Sequence, residues 1–172
     1  LFGAFLDPGD EVALADPHYA CHPNFVELVG GKPVYVETFE ADGFQLHADA
    51  IRARLTPRTK AILINSPANP TGNLLSAGHM AAIAGLGRCV ISDEIYHGLL
   101  YGSRARSILE FTDDAFVLNG FSKKYAMTGW RLGFVIAPPR FVRPMQKLQQ
   151  NLLISAGSIP QSAASASIVS AR

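Results

Sequence analysis

Charge is scarce in this sequence. Only 17% of its 172 residues are Asp, Glu, Lys or Arg, against roughly 25% in an ordinary globular protein. Fifteen basic and fourteen acidic residues leave a formal charge of +1, which argues against a general nucleic-acid surface or a polybasic membrane surface. Cysteine is scarcer still: Cys21 and Cys89 do not make a disulfide scaffold. No apolar run approaches the roughly 18 residues needed to span a bilayer, and none carries the flank and cleavage pattern of a signal peptide. Gly3 and Gly9 belong to neither a GxGxxG nor a Walker pattern, so dinucleotide and nucleoside-triphosphate sites fall away. His18, His22, His47, His79 and His97 lack metal-ligand spacing and no carboxylate cluster accompanies them, so no metal site is expected. Internal repeats and coiled-coil heptads are also missing. These absences leave a soluble protein, expected in the cytoplasm.

What the chain does have is apolar residues, 48% of the total, and a length that can bury roughly 68–70% of its unfolded surface. A DPGD turn at Asp7–Asp10 leads into a strand at Val12–Ala15, and a helix is expected over Tyr19–Val29 before Gly30–Gly31. Lys32–Phe39 alternates as a strand, and Asp49–Leu55 reads as a short helix. Ala61–Ile64, Cys89–Ser92 and Ala115–Leu118 are short apolar runs suited to strands covered on both faces. A helix over Ser76–Leu86, N-capped by Ser76, separates the first two. A further strand is expected at Arg131–Ala137, closed by Pro138–Pro139, then a helix at Met145–Ile154. Strands alternating with helices imply a three-layer α/β fold, a mainly parallel sheet flanked by helices. Residues 1–154 form one domain segment; residues 155–172, mostly Ser and Ala, are either a closely packed small-residue helix or the start of a connection.

In open α/β sheets, ligands bind beyond the carboxyl ends of the strands. Three such ends are polar here: Asn65–Asn73, Asp93–Tyr96 and Asn119–Lys124. Any one alone would read as a turn with helix-capping residues. Together they can bring Asn, Asp, Tyr, Lys and Arg side chains to one place.

NPTG at Asn69–Gly72, DEIY at Asp93–Tyr96 and SKKYAMTGWRLG at Ser122–Gly133 carry a resemblance. In this order they resemble the large domain of the class I/II aminotransferases, pyridoxal-phosphate enzymes of fold type I. The likeness runs from Pro8–Val12 to the strand before Pro138, and the long lysine-to-arginine block is its most specific part.

The resemblance implies a role for each matching residue. Lys123, eight positions before Arg131, matches the lysine that forms the internal aldimine and shuttles the Cα proton; Lys124 stands one position out. Asp93 matches the aspartate that keeps the pyridine nitrogen protonated, and so keeps the ring an electron sink. Asn69 and Tyr96 match the two donors to the cofactor's phenolic oxygen, and Asn69–Pro70 is a candidate cis bond. Arg131 matches the bidentate phosphate anchor, with Ser122 as a weaker contributor. Tyr19 matches the aromatic stacked on the ring. Gly120 departs from some relatives, which have a phosphate-contacting serine there. Glu94 has no cofactor role in this scheme.

The implied activity is amino transfer between an L-amino acid and a 2-oxo acid. The alternatives are a carbon–sulfur β-lyase on the same scaffold, or a cofactor-sensing regulatory domain fused to a DNA-binding module. The resemblance also implies a homodimer, a phosphate-cupping segment before Leu1, and a small domain after Arg172 that would grip the substrate carboxylate. On that expectation the chain is about half of an enzyme, and poorly active by itself.

Overall fold

The computed structural model describes residues 1–170. Its core is a six-stranded sheet. The strands are β1 (Glu11–Asp16), β2 (Lys32–Glu37), β3 (Thr59–Asn65), β4 (Cys89–Asp93), β5 (Ala115–Gly120) and β6 (Gly133–Ile136). Their spatial order is β2-β1-β3-β4-β5-β6, all parallel except the β5–β6 pair. Parallel neighbours need crossovers, and those crossovers carry the helices. The helices are α1 (Phe2–Phe5), α2 (Cys21–Glu27), α3 (Ala48–Arg52), α4 (Ala77–Ala84), α5 (Pro139–Leu152) and α6 (Ser158–Ser170). This is the mainly parallel three-layer α/β architecture expected.

The pleat sorts the central strands onto two cores. Ala13, Ile62, Ile64, Val90 and Val117 point to one face, where Ile51 of α3 and Met80 and Ile83 of α4 cover them. Val12, Leu14, Ala61, Leu63, Ile91 and Phe116 point to the other, against Val26 of α2 and Phe141 and Met145 of α5. Burial on both faces is why these runs are continuously apolar rather than alternating.

Several expected boundaries move. The second helix starts at Cys21 and ends at Glu27, because Tyr19 accepts a hydrogen bond from His22 N in a turn rather than joining the helix. Ser76 caps α4 as expected, its Oγ accepting from His79 N at 3.1 Å. Arg131 is not in the last strand. It follows a 3-10 turn at Thr128–Trp130 in the left-handed conformation, and β6 begins only at Gly133. Helix α5 starts at Pro139 rather than Met145 and runs through Pro144. Pro139 opens the helix, where an N–H would have no intrahelical partner, whereas Pro144, the sixth residue, leaves one intrahelical bond unmade.

The Ser/Ala-rich stretch is helical over Ser158–Ser170, and residues 171–172 of the expected 155–172 segment lie outside the described residues. Ala163 and Ala164 of this helix lie against Phe121 and Met127, so small side chains let α6 approach the segment that carries Lys123.

Candidate active site

The carboxyl ends of β3, β4 and β5 open into a cleft of about 470 Å³. Tyr19, Asn69, Asp93, Tyr96, Ser122, Lys123 and Arg131 all line it, with Asn65, Asn119 and Thr128 between them. Every site residue expected from the sequence is therefore brought to one place. The parallel order does this: Asn65 and Asp93 are register partners at the ends of β3 and β4, and β5 delivers Ser122–Lys123 alongside.

Asp93 is held on both oxygens. His22 Nε2 donates to Oδ2 at 3.1 Å and Ile95 N donates to Oδ1 at 3.1 Å. The His22 ring is almost fully buried, and it meets the edge of the half-exposed Tyr19 ring with centroids 5.3 Å apart. The Cys21 thiol, by hydrogen bonding and then by its charge, raises the Tyr19 phenol above its ordinary range.

The loop after β3 contains cis bonds at Ser66–Pro67 and Asn69–Pro70. Asn65 organises it: its Nδ2 donates to Asp93 O at 2.9 Å, while its Oδ1 accepts from Asn69 N at 2.8 Å. Asn69 Nδ2 then reaches Tyr96 Oη at 3.4 Å. Lys123 Nζ stands 5.5 Å from the centroid of the Tyr96 ring. Lys124 turns elsewhere, with Nζ 5.4 Å from the Tyr125 ring centroid.

Arg131 returns to the cleft because β6 runs antiparallel to β5. Its Nη1 donates to Thr128 O at 2.9 Å, and Thr128 Oγ1 donates to Ser122 O at 3.0 Å. The exposed guanidinium keeps further N–H groups for an anion. A Cβ on Gly120 would stand 3.0 Å from both Leu132 O and Gly133 Cα. The position where some relatives carry serine is here closed to a side chain unless the β5–β6 backbone shifts.

Sequence reasoning missed His22, Thr128 and the individual role of Asn65. The spacing of three between Tyr19 and His22 at a helix start was the available signal for His22. Among the described residues no group of three or more His, Cys, Asp and Glu could hold a metal ion. No helix among them is long and apolar enough to cross a membrane.

A lysine, an anchored carboxylate, paired amide and phenol donors and a guanidinium with further N–H groups to give suit a small cationic ring bearing an anionic group. The model of the family described as aminotransferase class I and II matches residues 1–172, and the chain belongs to that family. It is 39% identical over 173 residues to the aspartate aminotransferase of Geobacillus stearothermophilus, covering 95% of this chain and 44% of that protein. It is 40% identical over 164 residues to the (5-formylfuran-3-yl)methyl phosphate transaminase of Methanocaldococcus jannaschii, covering 94% of this chain and 42% of that protein. The fold matches that of aspartate aminotransferase from Thermus thermophilus with maleate at a TM-score of 0.92 and 37% identity, over 95% of this chain and 44% of that one. The chain thus spans less than half the length of these relatives.

The residues present fit pyridoxal 5′-phosphate, the cofactor this family uses. Asp93 is a carboxylate anchored on both oxygens at the cleft wall, the group a protonated ring nitrogen calls for, and Lys123 is the one primary amine lining that cleft.

Proposed function

We propose that the full-length protein is a pyridoxal 5′-phosphate-dependent aminotransferase, moving an amino group between an L-amino acid and a 2-oxo acid. The observation that carries this reading is the convergence of Lys123, Asp93, Asn69, Tyr96 and Arg131 on one cleft. When bound, the cofactor supplies a conjugated ring that accepts the electron pair left at the substrate's Cα. The chain's own residues prepare and use that capacity.

Asp93, fixed by His22 and Ile95 N–H, would hold the ring nitrogen in its protonated form by ion pairing. Asn69 and Tyr96, whose polar groups meet at 3.4 Å, would donate to the phenolic oxygen. Arg131 would grip the phosphate with the guanidinium N–H groups that Thr128 O does not use, and the Ser122 hydroxyl would assist. Tyr19, which lines the cleft, would stack on the cofactor ring. Lys123, the one lysine lining the cleft, would hold the cofactor covalently through Nζ and, once released, would be the base that moves the substrate's Cα proton.

The reading extends to a homodimer in the cytoplasm, with residues 1–154 as the cofactor-binding segment and 155–172 leading towards a substrate-gripping domain. Support for a covered surface comes from large apolar side chains left exposed, among them Leu28, Phe39 and Tyr101. The reaction needs neither nucleic acid nor a membrane.

Borohydride reduction of the full-length protein, followed by peptide mass mapping, is expected to place a phosphopyridoxyl group on Lys123. Half-reactions with aspartate, glutamate, alanine and aromatic amino acids are expected to give one equivalent of 2-oxo acid. A label confined to Lys124, or turnover releasing ammonia and pyruvate, would overturn the reading.

A further inference from the structure

Asn69 and Tyr96 come from separate connections, the loop after β3 and the turn after β4. Their mutual contact, 3.4 Å, is at the long limit of a hydrogen bond and cannot fix one loop against the other. The strand ladder itself ends at Asn65 and Asp93. Beyond it, Ser66 N donates to Asp93 O at 3.2 Å. The next tie outward is a side chain: His97 Nε2 lies 3.1 Å from Ser66 O. A carbonyl only accepts, so Nε2 is the donor in this contact.

The ring is braced from its other side. His97 Nδ1 stands 3.3 Å from Glu94 Oε2. Glu94 is a buried carboxyl group, 2% exposed. Its Oε1 accepts from Ser92 Oγ at 3.0 Å, Ser107 Oγ at 3.0 Å and Ile108 N at 2.9 Å. Three donors on one oxygen satisfy and immobilise the carboxylate. Ser66 is likewise held from behind, its Oγ accepting from Leu75 N at 3.0 Å. His97 therefore joins two fixed points, one behind each loop. Neither Glu94 nor His97 lines the cleft.

We infer that His97, braced by Glu94, is a positioning residue that locks the Asn69 loop to the Tyr96 turn and so sets where their two donor groups meet. This rests on the reading of the cleft given above. Donors to the phenolic oxygen stabilise its negative form and lower the bound cofactor's proton affinity. Releasing Ser66 O lets the donors drift and raises that affinity.

The test uses the full-length protein with His97→Leu and His97→Gln. Both replacements are neutral, and Glu94 and the neighbouring Lys124 are unchanged, so the pair separates the hydrogen bond from charge. Glutamine can still donate to Ser66 O; leucine cannot. In holoenzyme, the pH midpoint of the visible cofactor band is expected to rise by about half to one unit in His97→Leu, roughly three- to tenfold in proton affinity. His97→Gln should return it to near the wild-type value. In cofactor-free protein, amides of residues 66–73 should exchange faster in His97→Leu and recover in His97→Gln.

A folded His97→Leu protein with the wild-type midpoint and wild-type exchange overturns the inference, as does a glutamine variant as shifted as the leucine one. If His97→Leu fails to fold, His97→Asn, too short to reach Ser66 O, is read by the same criteria. A wild-type protein with no label on Lys123 would refute the functional reading instead, and the exchange measurement would then decide the role of His97 alone.

Discussion

Asp93 depends on His22, and a double-mutant cycle can measure by how much. Replacing His22 with Phe keeps an aromatic ring against Tyr19, where the present edge contact is 5.3 Å between centroids. What is lost is the 3.1 Å donor to Asp93 Oδ2. The carboxylate then keeps only Ile95 N–H, on Oδ1, and can pivot about it. A hydrogen bond to a charged group is worth about 1.5–3 kcal/mol. The Asp93 side chain is 15% exposed, so water replaces part of the lost bond. That discount leaves about 1–2 kcal/mol, or roughly five- to thirtyfold weaker cofactor binding.

The assay is the cofactor dissociation constant of the full-length protein, measured for wild type, His22→Phe, Asp93→Ala and the double variant. If His22 acts through Asp93, its replacement should cost almost nothing once Asp93 is gone. Full additivity of the two changes would refute the reasoning and reduce His22 to a packing residue.

Two further outcomes follow from the same sheet. Burial, and then the neighbouring Asp114 charge, push the Cys89 thiol up to about 12, so an alkylating reagent should label Cys21 and spare Cys89 in the folded protein. Because the unfolded thiol ionises near about 8.5, the Cys89 contribution to stability is complete below that pH and is lost as pH rises towards the folded value, by up to about 1.4 kcal/mol per unit. Urea midpoints of wild type and Cys89→Ala should therefore converge between pH 8 and 10; parallel curves would contradict the assignment. Phe116 is fully buried between Phe5 and Phe141, at centroid distances of 5.3 and 5.1 Å. Phe116→Ala should cost about 3–5 kcal/mol by urea unfolding of the full-length protein, and a loss below about 1 kcal/mol would mean that the α1–α5 face can collapse around the gap.

The strands were legible because burial on both faces leaves no room for anything but short apolar runs, as at Ala61–Ile64 and Ala115–Leu118. The polar residues closing those runs were legible as a group, since only the carboxyl edge of a parallel sheet gathers them. Helix ends were not. Tyr19 looks like the first residue of an amphipathic segment, yet its carbonyl caps a turn onto His22. Long-range partners were invisible altogether: His22 meets Asp93 across 71 positions, and Glu94 finds Ser107 and Ile108 only when the following loop folds back. No local pattern encodes such a meeting.

Arg131 shows why the expected strand had to fail where it did. A strand over Arg131–Ala137 would have alternated the side chains of Arg131 and Leu132 across the sheet, fixing the guanidinium by pleat alone. Instead Arg131 sits at φ 51 and ψ 44. For a residue with a Cβ this conformation costs about 1–2 kcal/mol. Gly129, two positions earlier, could have taken a left-handed turn at little cost. The turn falls on the arginine because it is Arg131 whose direction matters. The left-handed step sends its side chain back over Thr128 O, at 2.9 Å, and Thr128 in turn is tied to Ser122 O at 3.0 Å. Phe121 N closes the same loop on Leu132 O at 3.2 Å. These bonds, together with the close Gly120–Gly133 approach, hold the strained residue in place. The site residue most distant in sequence from the β3 loop is thereby delivered to the same cleft as the lysine eight positions before it.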